Sequence, residues 1–360
     1  MKSNPGRKIN VLVVDDSALI RTFLVNILES DPYVNVIGTA KDGLEALDFI
    51  KKQIPDVISM DIFMPGMDGF ETTRIIMQTN PIPIAIVSGH YEVGEVAKTF
   101  RSLEVGAVAI LPRPKGPGDP EHERSAADFI STMKTISEVK LVKRYFHGPS
   151  VLQENHLRNE PFTKIEIPGS SSGHIQVIAI GASAGGPIVL NEILRNISDQ
   201  LPVPIFIVQH IDHSFTHGFA DWLTQASGKK IIVARENMQP QPGKIYISES
   251  DHQMGIRPDG NITVNKESPQ NGFRPSVGYL FRSVLRVFGN RALSVLLTGM
   301  GNDGAQEMKL LKDAGSITIA QNKASSLVFG MPGEAIRLGA ACHVLSPENM
   351  IRFINEHFKN

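Results

Sequence analysis

Two doubly wound parallel α/β sheets, set one after the other, are the architecture that this 360-residue sequence predicts. Three observations predict it. The length exceeds a single ordinary domain of about 150 residues and gives a prior of two. Short Val- and Ile-rich runs recur without polar alternation, as strands buried on both faces do. Helical patterns separate these runs, and the rhythm restarts after a Pro-, Gly- and Ser-rich break.

In chain order, Val11–Val14, Val34–Thr39, Val57–Met60, Pro83–Val87 and Val108–Leu111 are the strands expected of the first sheet. Ser17 is placed to cap a helix over Ala18–Leu28. In Asp42–Lys52, Leu44, Leu47 and Ile50 recur at a spacing that puts them on one helix face. The segment RPKGPGDPEHE from Arg113 is turn-rich. A helix is expected over Ser125–Val142, with Phe129, Ile130, Met133, Ile136 and Val139 on its apolar side. The chain then turns polar and ends the break in PGSSSG at Pro168–Gly173. The basic set Lys140, Lys143 and Arg144 is a solvated helix end or a docking surface.

The second series begins with a strand over Ile175–Ile180, the turn GASAGG and a helix over Ile188–Arg195. Strands follow at Ile205–Val208, Ile231–Ala234, Ile245–Ile247, Leu293–Leu297 and Ile317–Ala320. Helices are expected over Phe281–Phe288 and Ala305–Asp313, and an antiparallel excursion around Ile245–Val264.

Composition narrows the function classes. Hydrophobic residues at 41% allow real cores, so the chain is neither a disordered tail nor a fibre. A net charge of −1 argues against binding nucleic acid or an anionic membrane as the main task. The lone Cys342 excludes an internal disulfide and suits a reducing cytoplasm. The basic start lacks the apolar run of a signal peptide. The longest uncharged stretch, Ile167–Asn191, carries Pro168 and Pro187 and is no membrane span.

Two constellations carry chemistry. In the first, Asp15 and Asp16 follow one strand and Asp61 follows another. Carboxyl ends of parallel strands share one edge, so the three carboxylates converge if their strands are neighbours. Such a cluster needs compensation, and Mg²⁺ suits one or two carboxylates plus waters. The ion would also offset charge if Asp61 received a phosphoryl group. Ser88 and Arg113 end two further strands and are placed to reach a phosphoryl oxygen. A single Asp after a strand is more often a turn former. Five such positions at successive strand ends make that reading poor.

In the second, Ser183 lies in GASAGG between a strand and a helix, among residues small enough for a tight turn. The following backbone N–H groups face the same space and suit an oxyanion. A serine needs a base. His210, ending a strand in IVQH, is one, with His213 and His217 as rivals. Asp303, in LTGMGNDG, would orient it, and Met300 offers a further backbone donor. GASAG also fits the short G-x-S-x-G pattern, but the chain order Ser183, His210, Asp303 is not that of α/β-hydrolases.

VLVVDDS, SMDIFMPGMDG and IVSG resemble the receiver domain of bacterial response regulators, a flavodoxin-like fold, over residues 9–126. This resemblance implies phosphorylation of Asp61 by a chemotaxis histidine kinase, Mg²⁺ at Asp15, Asp16 and Asp61, and Ser88 as the hydroxyl switch. Arg113 stands where the family has Lys. IGASAGG, FIVQHI, FRPSVGYLFRS, LTGMGNDGA and FGMPGEAI resemble the chemotaxis protein-glutamate methylesterase (CheB) catalytic domain, Rossmann-like, over 173–358. Residues 127–172 would be a terminal helix and linker. The resemblance implies a triad of Ser183, His210 and Asp303, and backbone donors near Ala184 and Met300 would meet the oxyanion. It implies hydrolysis of glutamate methyl esters on chemoreceptors and deamidation of glutamine, without an esterase cofactor. In it an unphosphorylated receiver covers the catalytic face. Ala184, Gly278 and Lys323 stand where Thr, Asp and an acid are usual, and Arg274 is a candidate for orienting substrate. The runner-up is a receiver-controlled docking module without catalysis. A transcription regulator lacks its basic recognition helix here, and a small-ester hydrolase would need a deep apolar pocket.

Overall fold

A computed structural model describes residues 7–89, 96, 99–139 and 175–359. Lys140, Lys143 and Arg144, and the expected linker from 140 to 172, lie outside the described residues.

The first sheet contains β1 (Ile9–Val14), β2 (Val34–Ala40), β3 (Val57–Met60), β4 (Ile84–Ser88) and β5 (Ala109–Pro112). All pairs are parallel, in the order β2-β1-β3-β4-β5. β1 and β3 are neighbours with Val14 opposite Met60, so Asp15 and Asp61 emerge side by side. Helices α1 (Ala18–Glu29), α2 (Gly43–Lys52), α3 (Gly69–Thr79) and α4 (His122–Ser137) cover it. Each of the first three is capped by a side chain, Ser17, Asp42 and Asp68, accepting from a backbone N–H of the first turn.

Two expectations are corrected here. Leu44 is 61% exposed, while Gly43, Ala46 and Ile50 make the buried stripe of α2. The three leucine and isoleucine positions matched a helical period, but the stripe is set by small residues that let α2 approach α3. The helix expected over Ser125–Val142 instead runs His122–Ser137. Its start absorbs the end of the turn-rich segment, where the ring of His122 bonds the Lys115 carbonyl.

The second sheet holds β6 (Val177–Ala182), β7 (Ile205–Gln209), β8 (Ile231–Val233), β9 (Ile245–Ile247), β12 (Ala292–Leu296), β13 (Ile317–Gln321) and β14 (His343–Leu345). Its order is β14-β13-β12-β6-β7-β9-β8, parallel throughout. The antiparallel excursion is narrower than expected. Among the strands of the described residues, β10 (Gln253–Ile256) and β11 (Ile262–Asn265) pair antiparallel, as a separate two-stranded sheet. β9 belongs to the parallel sheet, where its IYI run is wholly buried.

Helices α5 (Gly186–Asn196), α6 (Thr216–Ser227), α7 (Val277–Phe288), α8 (Ala305–Asp313), α9 (Met331–Arg337) and α10 (Pro347–His357) pack on this sheet. β6 lies between β7 and β12, so the chain leaves β6 at the point where strand order reverses. Ligand crevices form at such switch points. Ser183, His210 and Asp303 follow β6, β7 and β12, three adjacent strands.

Candidate active site and carboxylate cluster

Ser183 sits one residue past β6, in a turn held from several sides. Its N–H donates to the Thr298 carbonyl at 3.0 Å, and its carbonyl accepts from Gly186 N at 2.8 Å. Gly185 adopts φ +78°, the left-handed region that glycine enters without strain, and starts α5. Gln209, at the end of β7, bonds the carbonyls of both Ser183 (2.9 Å) and His210 (3.0 Å) through its Nε2. The His210 N–H donates to the Ala182 carbonyl at 2.9 Å. One buried amide side chain and one backbone bond therefore fix Ser183 and the His210 imidazole relative to each other.

The imidazole is oriented from two directions. His210 Nε2 donates to Asp303 Oδ2 at 2.9 Å. Its ring stacks on Phe273 at 4.0 Å between centroids and 3° between planes. Nδ1 is buried and has no partner among the described residues. With Nε2 protonated, Nδ1 carries the lone pair a base needs. No hydrogen bond joins Ser183 Oγ to His210 among the described residues, and catalytic contacts are commonly loose without substrate.

Asp303 is fully buried. Beside His210 it accepts from Ser276 Oγ (2.8 Å), Val277 N (2.7 Å), Gly278 N (3.2 Å) and Asn271 Nδ2 (3.4 Å). The carboxylate thus sits on the N-terminus of α7, where backbone N–H groups and the helix dipole favour negative charge. Burial pushes its pKa up, but the His210, Ser276 and Val277 bonds outweigh burial and hold it below the ordinary carboxylate value.

The loop after β12 brings Met300 beside the same turn. Gly299 would place a Cβ 2.7 Å from the Ser183 Cβ, so the two loops are in contact. Thr298 Oγ1 donates to the Ala184 carbonyl (2.9 Å) and accepts from Val328 N (2.9 Å). The backbone N–H groups of Ala184 and Met300 donate to no acceptor among the described residues. Unspent donors beside a hydroxyl are what an oxyanion requires.

Of the rival imidazoles, His217 is exposed and lies 4.0 Å from Glu249. The side chain of His213 lies outside the described residues. Arg274 is held by Asp251 and bonds the Lys266 carbonyl, so its guanidinium is spent within the loop. Lys323 is exposed.

At the first sheet, Asp15, Asp16 and Asp61 each offer a carboxylate oxygen, all within 4.8 Å of one another. Asp15 and Asp61 are buried. Arg113 Nη2 lies 3.3 Å from Asp15 Oδ2, so its guanidinium answers Asp15. Burial raises the Asp15 pKa, against the pull of the Ser17 N–H and Arg113. The cluster is short of positive charge, and its all-oxygen donor set fits a hard divalent cation. Ser88 is fully buried at the end of β4, and its carbonyl accepts from Arg113 N at 2.9 Å.

The surroundings of the two sheets touch at the Met300 and Gly272 loops and along α6. Ser131 and Thr135 of α4 approach Met300 Sδ at 3.7 and 4.0 Å. Arg124 bonds the Gly272 carbonyl at 3.1 Å. Phe100 packs on Phe219 (5.1 Å) and Trp222 (5.6 Å) of α6, and Trp222 Nε1 donates to Glu104 at 2.9 Å. Gln209, Phe273 and this aromatic contact were not singled out from sequence. Only the adjacency of Gln209 to His210 in IVQH was a signal.

Comparison with known proteins adds an independent line. The CheB methylesterase family model matches residues 178–354, and the response regulator receiver domain model matches 11–119. A protein-glutamate methylesterase/protein-glutamine glutaminase of Nitrosospira multiformis is 46% identical over 342 residues, covering 95% of each chain. One from Geobacter metallireducens is 44% identical over 346 residues, covering 95% of this chain and 97% of its own. One from Syntrophus aciditrophicus is 45% identical over 346 residues, covering 96% and 97%.

Proposed function

The chain belongs to the CheB methylesterase family, with a receiver domain ahead of the esterase domain, and from that premise we propose that it hydrolyses γ-glutamyl methyl esters of chemoreceptors by a Ser183–His210–Asp303 triad under control of Asp61. The observation that carries the reading is the His210–Asp303 hydrogen bond at the ends of β7 and β12, flanking Ser183 at the end of β6.

Ser183 Oγ attacks the ester carbonyl as His210 Nδ1 takes its proton. Asp303 holds the Nε2–H tautomer and stabilises the imidazolium. The N–H groups of Ala184 and Met300 meet the oxyanion. His210 returns the proton to the leaving oxygen, and methanol departs. Water, deprotonated by His210, then releases glutamate from the acyl-serine. A glutamine side-chain amide follows the same path with ammonia as the leaving group.

Asp61 is proposed as the acceptor of a phosphoryl group from a chemotaxis histidine kinase. Asp15, Asp16 and Asp61 would hold Mg²⁺, which when bound offsets their charge and that of the phosphoryl group. Ser88 and Arg113 lie at neighbouring strand ends. The contact of α4 with Met300 supports a restraining role for the docked receiver, relieved by phosphorylation. No helix among the described residues is long and apolar enough to cross a membrane. A cytoplasmic enzyme acting on the cytoplasmic part of receptors is proposed.

Mass spectrometry of a receptor signalling fragment carrying both methylated glutamate and glutamine tests the proposal. Conversion of both to glutamate is expected, and loss of both conversions in His210→Ala. A fragment left unchanged by the intact chain, with Mg²⁺ and a phosphodonor present, overturns it.

A further inference from the structure

Gly278 is the second residue of α7, and the space of its missing side chain is filled from another helix. A Cβ built there would lie 2.8 Å from Glu307 Oε2 and 3.2 Å from Asp303 Oδ1. Two carboxylates therefore crowd one point, the proposed triad acid and an acid from the first turn of α8. Glu307 is 7% exposed. Its Oε1 takes the guanidinium of Arg282, one turn along α7 from Gly278. Its Oε2 is buried and has no partner among the described residues. Leaving a buried carboxylate oxygen without a donor is costly. Here the cost is limited by Arg282 and by the positive end of α7.

The charged groups placed against Glu307 include Arg282 and Asp303. Arg282 faces it from α7, and Asp303 stands at the end of the loop that opens α8. His210 faces Asp303 in turn, from the end of β7. The resemblance puts an acid at position 278, and this chain puts a carboxylate in the same space from position 307. A side chain at 278 would have to displace the carboxylate end of Glu307, so the glycine leaves Glu307 its place.

We infer that Glu307 is a positioning residue of the esterase, standing where an acid at 278 would stand and supplying negative potential behind Asp303 that favours the charged imidazole. The inference rests on the triad reading above. Arg282 screens part of the potential, so the effect is moderate rather than absolute.

The test follows the His210 ring signals by NMR across pH in the full chain, with turnover measured in parallel. In Glu307→Gln the ring titrates at lower pH than in the parent, because the charged form has lost support. The kcat for methanol release falls roughly three- to tenfold with KM held. Combining Gly278→Asp with Glu307→Ala returns the acid from α7 and restores both readings. If Glu307→Gln does not fold, the double variant decides, since it must titrate with the parent. An unmoved ring titration in Glu307→Gln overturns the inference. So does a loss of turnover and melting temperature without that movement, since it marks a packing role. A double variant that restores neither reading overturns it as well. The ring titration needs no substrate. A parent that releases no methanol therefore refutes the methylesterase reading while the titration still decides on Glu307.

Discussion

Replacing Asp303 by Asn separates what the carboxylate does for the fold from what it does for the imidazole. The carboxylate accepts from His210 and Val277 on Oδ2, and from Ser276, Gly278 and Asn271 on Oδ1. An amide offers one acceptor oxygen and one NH₂. Whichever way it turns, a backbone N–H of α7 faces a donor, Val277 in one orientation and Gly278 in the other. One lost buried bond of this kind costs about 1–3 kcal/mol. With its NH₂ toward His210, the amide forces the proton onto Nδ1, the atom needed for the Ser183 proton. A wrong tautomer lowers kcat by roughly 10³–10⁴, or about 4–5.5 kcal/mol of barrier. Stability should also lose a pH dependence. The folded pKa of Asp303 is depressed, so its contribution is present above the ordinary value of 3.8 and is lost as pH falls through the folded value. Urea unfolding at several acid pH values, with methanol release at neutral pH, reads both effects. A kcat within tenfold of the parent, or an acid stability profile identical to the parent's, refutes the reasoning.

Other perturbations read other parts of the site. Gly299→Ala pushes a methyl toward the Ser183 Cβ and Met331; a stability loss of about 1–3 kcal/mol and a larger proportional loss of kcat are expected, checked by thermal unfolding and turnover. Phe100→Ala removes a ring from the contact with α6; it should raise methanol release by the unphosphorylated chain several-fold, and an unchanged basal rate counts against a restraining receiver. Asp61→Asn should abolish labelling by a small-molecule phosphodonor in the presence of Mg²⁺. Chelating the Mg²⁺ should do the same to the parent, as phosphate-affinity electrophoresis would show.

The strands that carry the candidate site were legible because strands buried on both faces read as largely apolar runs. IFIVQ of β7 and ALSVL of β12 are wholly buried. His210 directly follows β7, while Asp303 lies beyond β12 in the LTGMGNDG loop; position left His213 and His217 as rivals, and the family resemblance chose among them. Which strands were adjacent was not legible, because pairing joins residues more than a hundred positions apart. β12 lies beside β6 through Ala292 and Val177. Short or polar elements escaped for a different reason. α3, with FETTRII, and β14, of three residues, lack the apolar density that marks an element. Leu44 misled because period alone does not say which face a helix buries. Glu307 was invisible as a site residue, since a lone acid in a helix's first turn is ordinary capping chemistry. Only the vacancy at Gly278 gives it a role.

The most direct test of the central claim is methanol release from a methylated chemoreceptor, by the intact chain and by Ser183→Ala at equal concentration. The account predicts steady release by the intact chain and none above the receptor-only background by the variant, with both chains equally folded. Release by the variant at the parent rate, or none by the intact chain even with Mg²⁺ and a phosphodonor, contradicts it.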